Sequence, residues 1–267
     1  MPLWDFLLNR FCTSVAPVGA STTYYGSHRT LSRGRDKTDI LKHFIGLCWF
    51  NMRMYINRGL PSALKAKFDK VFLQNLFDGQ VSRSGNGSST AQTSQLIQEF
   101  PGLISRLGIK SILDIPCGDL TWIKEVDLQG VDYRGADVAP SLISSLQSGF
   151  PDRRFEVLDI SKDPLPKVDL IFCRDLFVHL SFKDIRLAIS NIKASRSTYL
   201  ATTTFLNRKK NSDLPLISRG VAWRTINLQI QPFNFDESIE IINEKCTENN
   251  GQYSDKAIGV WKIDQLP

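Results

Sequence analysis

The chain has 267 residues, room for one large domain or for one domain with an extension. Hydrophobic residues make up 42% and charged residues 22%, which suits a soluble globular protein and excludes one too polar to build a core. The net charge of +6 comes wholly from residues 1–78, where eleven Lys/Arg face five Asp/Glu, so residues 79–267 hold twenty-two of each and are neutral. A basic arm of that kind meets nucleic acid, a membrane surface or an anionic substrate, or is a solvated face.

In chain order, the opening MPLWDFLLNRFCTSVAPVGA has no basic region ahead of its apolar stretch, and Asp5 interrupts it, so no signal peptide is expected. The apolar segment 44–56 contains Arg53 and falls short of the ~20 residues of a bilayer span, so no membrane span is expected. Residues 38–78 read as helical. Ile40, Leu41, Phe44, Ile45 and Leu47, then Leu64, Phe68, Val71, Phe72 and Leu76, recur at spacings of three and four. Gly59-Leu60-Pro61-Ser62 separates the two runs, with Ser62 a candidate cap. The expected organisation is a basic, mostly helical N-terminal extension, 1–78, and a domain over 79–267. The Gly/Ser-rich stretch 82–96 is either a linker or a loop whose backbone approaches a ligand.

From there the pattern alternates. A helix over about 92–107 precedes a strand at 110–115, and the turn Pro116-Cys117-Gly118-Asp119 leads into helical spacing at Leu120, Ile123 and Val126. A second strand ends at Asp137, a helix covers about 140–148, and further strands lie at 154–160, 168–175 and 197–205, with a helix after Ser181. Alternating strands and helices imply a parallel sheet covered on both faces. The last two strands, 238–246 and 256–263, are joined by TENNGQYSD, whose Asn-Asn-Gly marks a β-hairpin.

In an open α/β sheet, ligands bind beyond the carboxyl ends of the strands. Three strands end there in acids: Asp114, Asp137 and Asp159. Asp137 stands 19 residues after Gly118, about where a ribose-binding acid belongs. Acids at the first turn suit a cationic, phosphate-free nucleoside cofactor rather than a dinucleotide. The five cysteines (Cys12, Cys48, Cys117, Cys173 and Cys246) are scattered without any C-x-x-C, so neither a disulfide framework nor a zinc cluster is expected, and a reducing cytoplasm fits.

The combination LDIPCGD, GADV, LDI and DLIFCRDLFVHLS, with SGNGS at 84–88, TTTF at 202–205 and a closing hairpin, resembles class I S-adenosylmethionine-dependent methyltransferases. More narrowly it is similar to a bacterial and viral group linked to glycan synthesis, over about residues 80–264. The resemblance implies a Rossmann-like seven-stranded mixed sheet with an antiparallel last strand and helices on both faces. It implies S-adenosyl-L-methionine as cofactor and a sugar or glycan acceptor. Asp114, Pro116, Cys117 and Gly118 would line the methionine part, Asp137 would hold the ribose, and Asp159 with Ile160 would flank adenine. Ser84, Gly85, Gly87 and Ser88 form the matching loop before the first strand. The general turn pattern has glycines where this chain has Pro116 and Leu120; the narrower group shares Pro116.

Methyl transfer to a hydroxyl needs an aligned acceptor and a base. Asp175 and His179 are four apart, one helical turn, so His179 positioned by Asp175 is the candidate base, titrating in the ordinary His range of ~6–7. Asp175 contacting cofactor or metal is the alternative, although no carboxylate cluster indicates a metal. Arg174 contacts a ligand or pairs with a nearby acid. Thr202, Thr203 and Thr204 end the fifth strand, and Thr203 and Thr204 are candidate sugar contacts, though Thr is also a strand former. Trp223 and Arg224 lie in the segment between strands five and six, where an aromatic ring would cover the acceptor or pack as core. The function read from these features is sugar O-methylation. The alternatives are a non-sugar small-molecule acceptor, or a nucleic-acid-binding protein with this fold; no aromatic-plus-basic motif supports the last, so no nucleic acid partner is expected.

Overall fold

The computed structural model describes residues 61–214 and 222–267. The readings on residues 1–60, including the first helical run, most of the basic arm and the apolar segment 44–56, lie outside the described residues. Among those described, no helix is long and apolar enough to cross a membrane.

The sheet has seven strands: β1 (Ser111–Asp114), β2 (Asp132–Asp137), β3 (Arg154–Val157), β4 (Leu170–Cys173), β5 (Tyr199–Phe205), β6 (Glu240–Asn243) and β7 (Lys256–Lys262). Their spatial order is β3-β2-β1-β4-β5-β7-β6. The first five pair in parallel, and β7 runs antiparallel to both β5 and β6. The chain reverses between β6 and β7 at Asn249, Asn250 and Gly251, which take φ of 51°, 56° and 79°. Asn and Gly tolerate this left-handed region best, so the Asn-Asn-Gly signal has its mechanism there.

Among the described residues, four helices of ten residues or more accompany the sheet: α1 (Pro61–Leu73), α2 (Thr90–Leu107), α3 (Pro140–Gly149) and α4 (Phe182–Ala194). One face carries α2, α3 and the 120–126 segment, packed on Ile112, Leu170, Phe172 and Ile258. The other carries α4 and residues 226–235, packed on Leu113, Ile171 and Leu200. Ser89 caps α2 by accepting from the Gln92 N–H, and Gly108 closes it in the left-handed conformation. Ser181 caps α4 by accepting from the Asp184 N–H at 3.1 Å. α3 has no cap of its own. Asp69 of α1 supplies it, accepting from the Ser141 N–H at 2.8 Å and its hydroxyl at 3.0 Å, and this bond docks α1 on the domain.

Two predicted elements differ. α1 begins at Pro61, a residue pre-set for the first turn, so Ser62 lies inside the helix and not at its cap. The helix expected after the Pro116–Asp119 turn is reduced to one 3₁₀ turn, Ile123–Glu125. Leu120 has φ +60°, which no continuous right-handed helix accommodates. Its apolar spacing is real, since Leu120, Ile123 and Val126 are all buried, but irregular chain achieves it.

Candidate active site

Two adjoining cavities open beyond the carboxyl ends of β1, β2 and β4. The inner one lies against Asp114, Pro116, Cys117, Gly118, Asp137 and Arg174. The outer one lies against Gly85, Gly87, Trp223, Tyr253 and Lys256. Phe77, Ser84, Ser88, Asp175 and His179 border both.

Asp114 and Asp137 end adjacent strands and are buried. Asp114 accepts from the Tyr133 hydroxyl at 2.6 Å. Burial pushes Asp114 up to about 7 against that bond. Burial likewise pushes Asp137 up to about 6, although the N–H groups of Ala139, Gly118 and Val138 oppose it. Cys117 is buried with its thiol held well above the ordinary range by desolvation, so it is a wall and not a nucleophile.

Gly118, at φ +56°, is where the 82–88 loop meets the turn after β1: a Cβ there would sit 2.5 Å from Ser84 Oγ. Asp119 holds that loop. Its carboxylate accepts from the Ser82 hydroxyl at 2.9 Å and the Arg83 N–H at 2.7 Å, while its own N–H donates to Ser84 Oγ at 3.2 Å. Arg174 holds the other end, donating to the Gly87 carbonyl at 2.8 Å. The loop is therefore built into the site. The 61–78 segment, assigned from the sequence to the extension, also lines the inner cavity through Phe68, Val71, Phe72 and Phe77.

Asp175 and His179 do not share a helix face. Asp175 has φ +55°, and His179 ends a 3₁₀ turn, Phe177–His179. Asp175 accepts from Lys256 Nζ at 2.6 Å and pairs with Arg174 at 3.2 Å. Burial raises its pKa, but Lys256 and Arg174 together outweigh burial and hold it at about 2. His179 is oriented by the Ala222 carbonyl, 2.8 Å from Nδ1, and not by Asp175. A carbonyl only accepts, so Nδ1 carries the proton and Nε2 is the basic nitrogen. Burial pushes the imidazole down to about 4, more than Ala222 and Asp175 raise it.

Several predicted contacts are absorbed by the fold. Arg174 pairs with Glu244 at 2.6 Å, both side chains buried. The Thr203 hydroxyl receives the Asp175 N–H at 2.8 Å and Thr204 Oγ1 that of Leu228 at 3.2 Å, so neither is offered to a sugar. Thr202 donates to the Cys173 carbonyl at 2.7 Å. Arg224 donates to the carbonyls of Phe177, Val178 and Leu180, which clamps the turn that carries His179. β3 stops at Val157, so Asp159 does not end the strand as expected: it closes a local turn with Ser161, and Ile160 packs in the core; neither borders the two cavities. Trp223 is 40% exposed and stands edge-to-face with Tyr253 and Phe205, so it is available as an acceptor wall. Lys256, Glu244, Asp119 and Tyr253 escaped sequence reasoning. Lys256 opens a strand that reads as apolar, and the acids are only paired once the sheet is folded.

Neither a family model nor a curated protein matches the sequence. Solved structures do. The 1,6-didemethyltoxoflavin-N1-methyltransferase of Burkholderia thailandensis, with bound 1,6-didemethyltoxoflavin and S-adenosylhomocysteine, is 14% identical, covers 76% of this chain and 90% of its own, and has a TM-score of 0.51. The chain has the Rossmann-like methyltransferase fold. An S-adenosylmethionine-dependent methyltransferase from Clostridium acetobutylicum ATCC 824 is 11% identical over 64% of this chain and 91% of that one, with a TM-score of 0.46. The N-methyltransferase NodS from Bradyrhizobium japonicum WM9, in complex with S-adenosylhomocysteine, is 14% identical over 62% and 86%, with a TM-score of 0.43. At 14% identity the likeness to the Burkholderia structure speaks for the fold and not for an acceptor.

Proposed function

We propose that the protein is an S-adenosylmethionine-dependent O-methyltransferase acting on a sugar hydroxyl of a glycan or glycosylated metabolite. The observation that carries this is His179, which borders both the acid-lined inner cavity and the aromatic-walled outer one. The donor set of the inner cavity fits the cofactor: Asp114 and Asp137 are buried acceptors for an ammonium group and ribose hydroxyls, and of the two arginines on its lining, Arg83 and Arg174, Arg174 is held by Glu244, Asp175 and Gly87. When bound, S-adenosylmethionine supplies an electrophilic methyl group on a sulfonium. His179 Nε2 takes the acceptor hydroxyl's proton as that oxygen attacks, and the outer wall of Trp223 and Tyr253 holds the acceptor's apolar face and excludes water. The buried free thiols of Cys117, Cys173 and Cys246 suit a reducing compartment such as the cytoplasm.

The same aromatic wall also suits a planar, non-sugar acceptor, which is the second reading. Screening with labelled S-adenosylmethionine across nucleotide sugars, free glycosides, lipid-linked glycans and planar aromatic alcohols separates the two. Label on glycosides supports the first; label confined to aromatic acceptors replaces it with the second. Failure to bind S-adenosylhomocysteine by calorimetry would remove both.

A further inference from the structure

Lys256 opens β7 and borders the outer cavity, yet only 5% of its surface is exposed. An ammonium has three N–H donors. This one makes a single hydrogen bond, 2.6 Å to Asp175, with Glu244 a further ion-pair partner at 3.6 Å. Buried donors without acceptors are costly, so native proteins rarely leave them unmet. The same cluster holds an unmet acceptor, Glu244 Oε1, which is buried without a hydrogen bond. Across the cavity, Gly87 keeps the approach open: a Cβ there would stand 3.8 Å from Lys256 Nζ and 3.1 Å from Glu248 Oε2. Among the described residues, the carboxylates that border the outer cavity, Asp175 and Glu248, outnumber its cation, Lys256. The neighbouring arginines, Arg174 and Arg224, are spent on protein acceptors. This balance disfavours a phosphate or carboxylate on the acceptor and favours a neutral one with adjacent oxygens.

We propose that Lys256 is an acceptor-binding residue that donates to the oxygen beside the reacting hydroxyl, so that the outer cavity selects a neutral vicinal diol. This rests on the sugar reading above. The test uses the full chain, labelled S-adenosylmethionine and methyl glycosides of hexoses and 6-deoxyhexoses, each compared with its analogue deoxygenated next to the methylated position. In wild type, deoxygenation should raise KM at least tenfold, and Lys256→Met should raise KM for the diol similarly while keeping S-adenosylhomocysteine affinity within threefold. In Lys256→Met the deoxy penalty should vanish, because the group that read the second oxygen is gone. Lys256→Arg, which keeps the charge but changes the reach, should fall between. Glycosides methylated equally well with or without the neighbouring hydroxyl in wild type would overturn the role of Lys256 and leave the sugar reading standing, even if the variants fail to fold. Cofactor binding without transfer to any glycoside would remove the sugar reading and this role together.

Discussion

At the scale of single residues, His179 is the proposed base, and its proton affinity is set by its surroundings. Burial brings it from an ordinary 6.5 to about 4, so the neutral form dominates throughout the physiological range. The rate should therefore rise through an ionisation near 4 and stay level between about pH 6 and 8, and a profile rising through the ordinary His range would refute the burial account. His179→Ala should lower kcat by about 10²–10⁴ while cofactor affinity holds. Because the folded value lies below the unfolded one, the contribution of neutral His179 to stability is complete above about 6.5 and is lost as pH falls through about 4. The inner acids run in the other direction. Asp114 and Asp137 are raised to about 7 and 6, so cofactor that needs them ionised should bind more tightly as pH rises from about 5.5 to 7.5 and release protons as it does. Calorimetry in two buffers of different ionisation enthalpy measures this. Tyr133→Phe removes the bond that favours ionised Asp114 and should move the midpoint of that dependence upward. Asp137→Ala should cost roughly 1–3 kcal/mol of S-adenosylhomocysteine affinity.

At the scale of elements, the 82–88 loop and the turn after β1 form one unit, joined through Asp119. Asp119→Ala frees the Ser82 hydroxyl and the Arg83 N–H together, so amide hydrogen exchange across 82–88 should quicken and cofactor affinity should weaken by about 1–2 kcal/mol. Unchanged exchange in that variant would mean that Arg174 alone holds the loop. The sequence announced this loop through its Gly and Ser content, but the meaning was open. A glycine-rich stretch reads the same whether it links or lines, and the deciding bond runs from Asp119, which looked like part of the turn. The strands and the hairpin were legible because periodicity and Asn-Asn-Gly are local signals. The missing helix after Asp119 was not, because three buried apolar residues at helical spacing do not reveal that Leu120 takes a left-handed backbone. Asp175 was misplaced for the same reason: a separation of four places two side chains on one face only if the chain between them is helical.

At the scale of the whole molecule, the sheet's two halves meet at a buried charge cluster. Arg174, at the end of β4, is neutralised by Glu244 just beyond β6, and both side chains are almost fully enclosed. Removing one partner of such a buried pair costs up to about 3–5 kcal/mol, and Asp175 at 3.2 Å leaves Arg174 one carboxylate. Glu244→Gln should therefore lower Tm by roughly 6–20 °C, as measured by calorimetry or circular dichroism. The sequence offers pairing of Arg174 with an acid as one alternative but not the partner, which stands 70 positions away. The antiparallel β7 has a further consequence, one of timing. During vectorial synthesis the ribosome releases β1 to β5 well before the hairpin that carries Glu244 and Lys256. A nascent chain at that stage holds the strands that shape the inner cavity and the Asp119 anchor of the 82–88 loop, but Arg174 has only Asp175 to pair with, and Asp175 awaits its ammonium partner. The charge cluster beside the cleft is thus completed last, when Glu244 and Lys256 arrive.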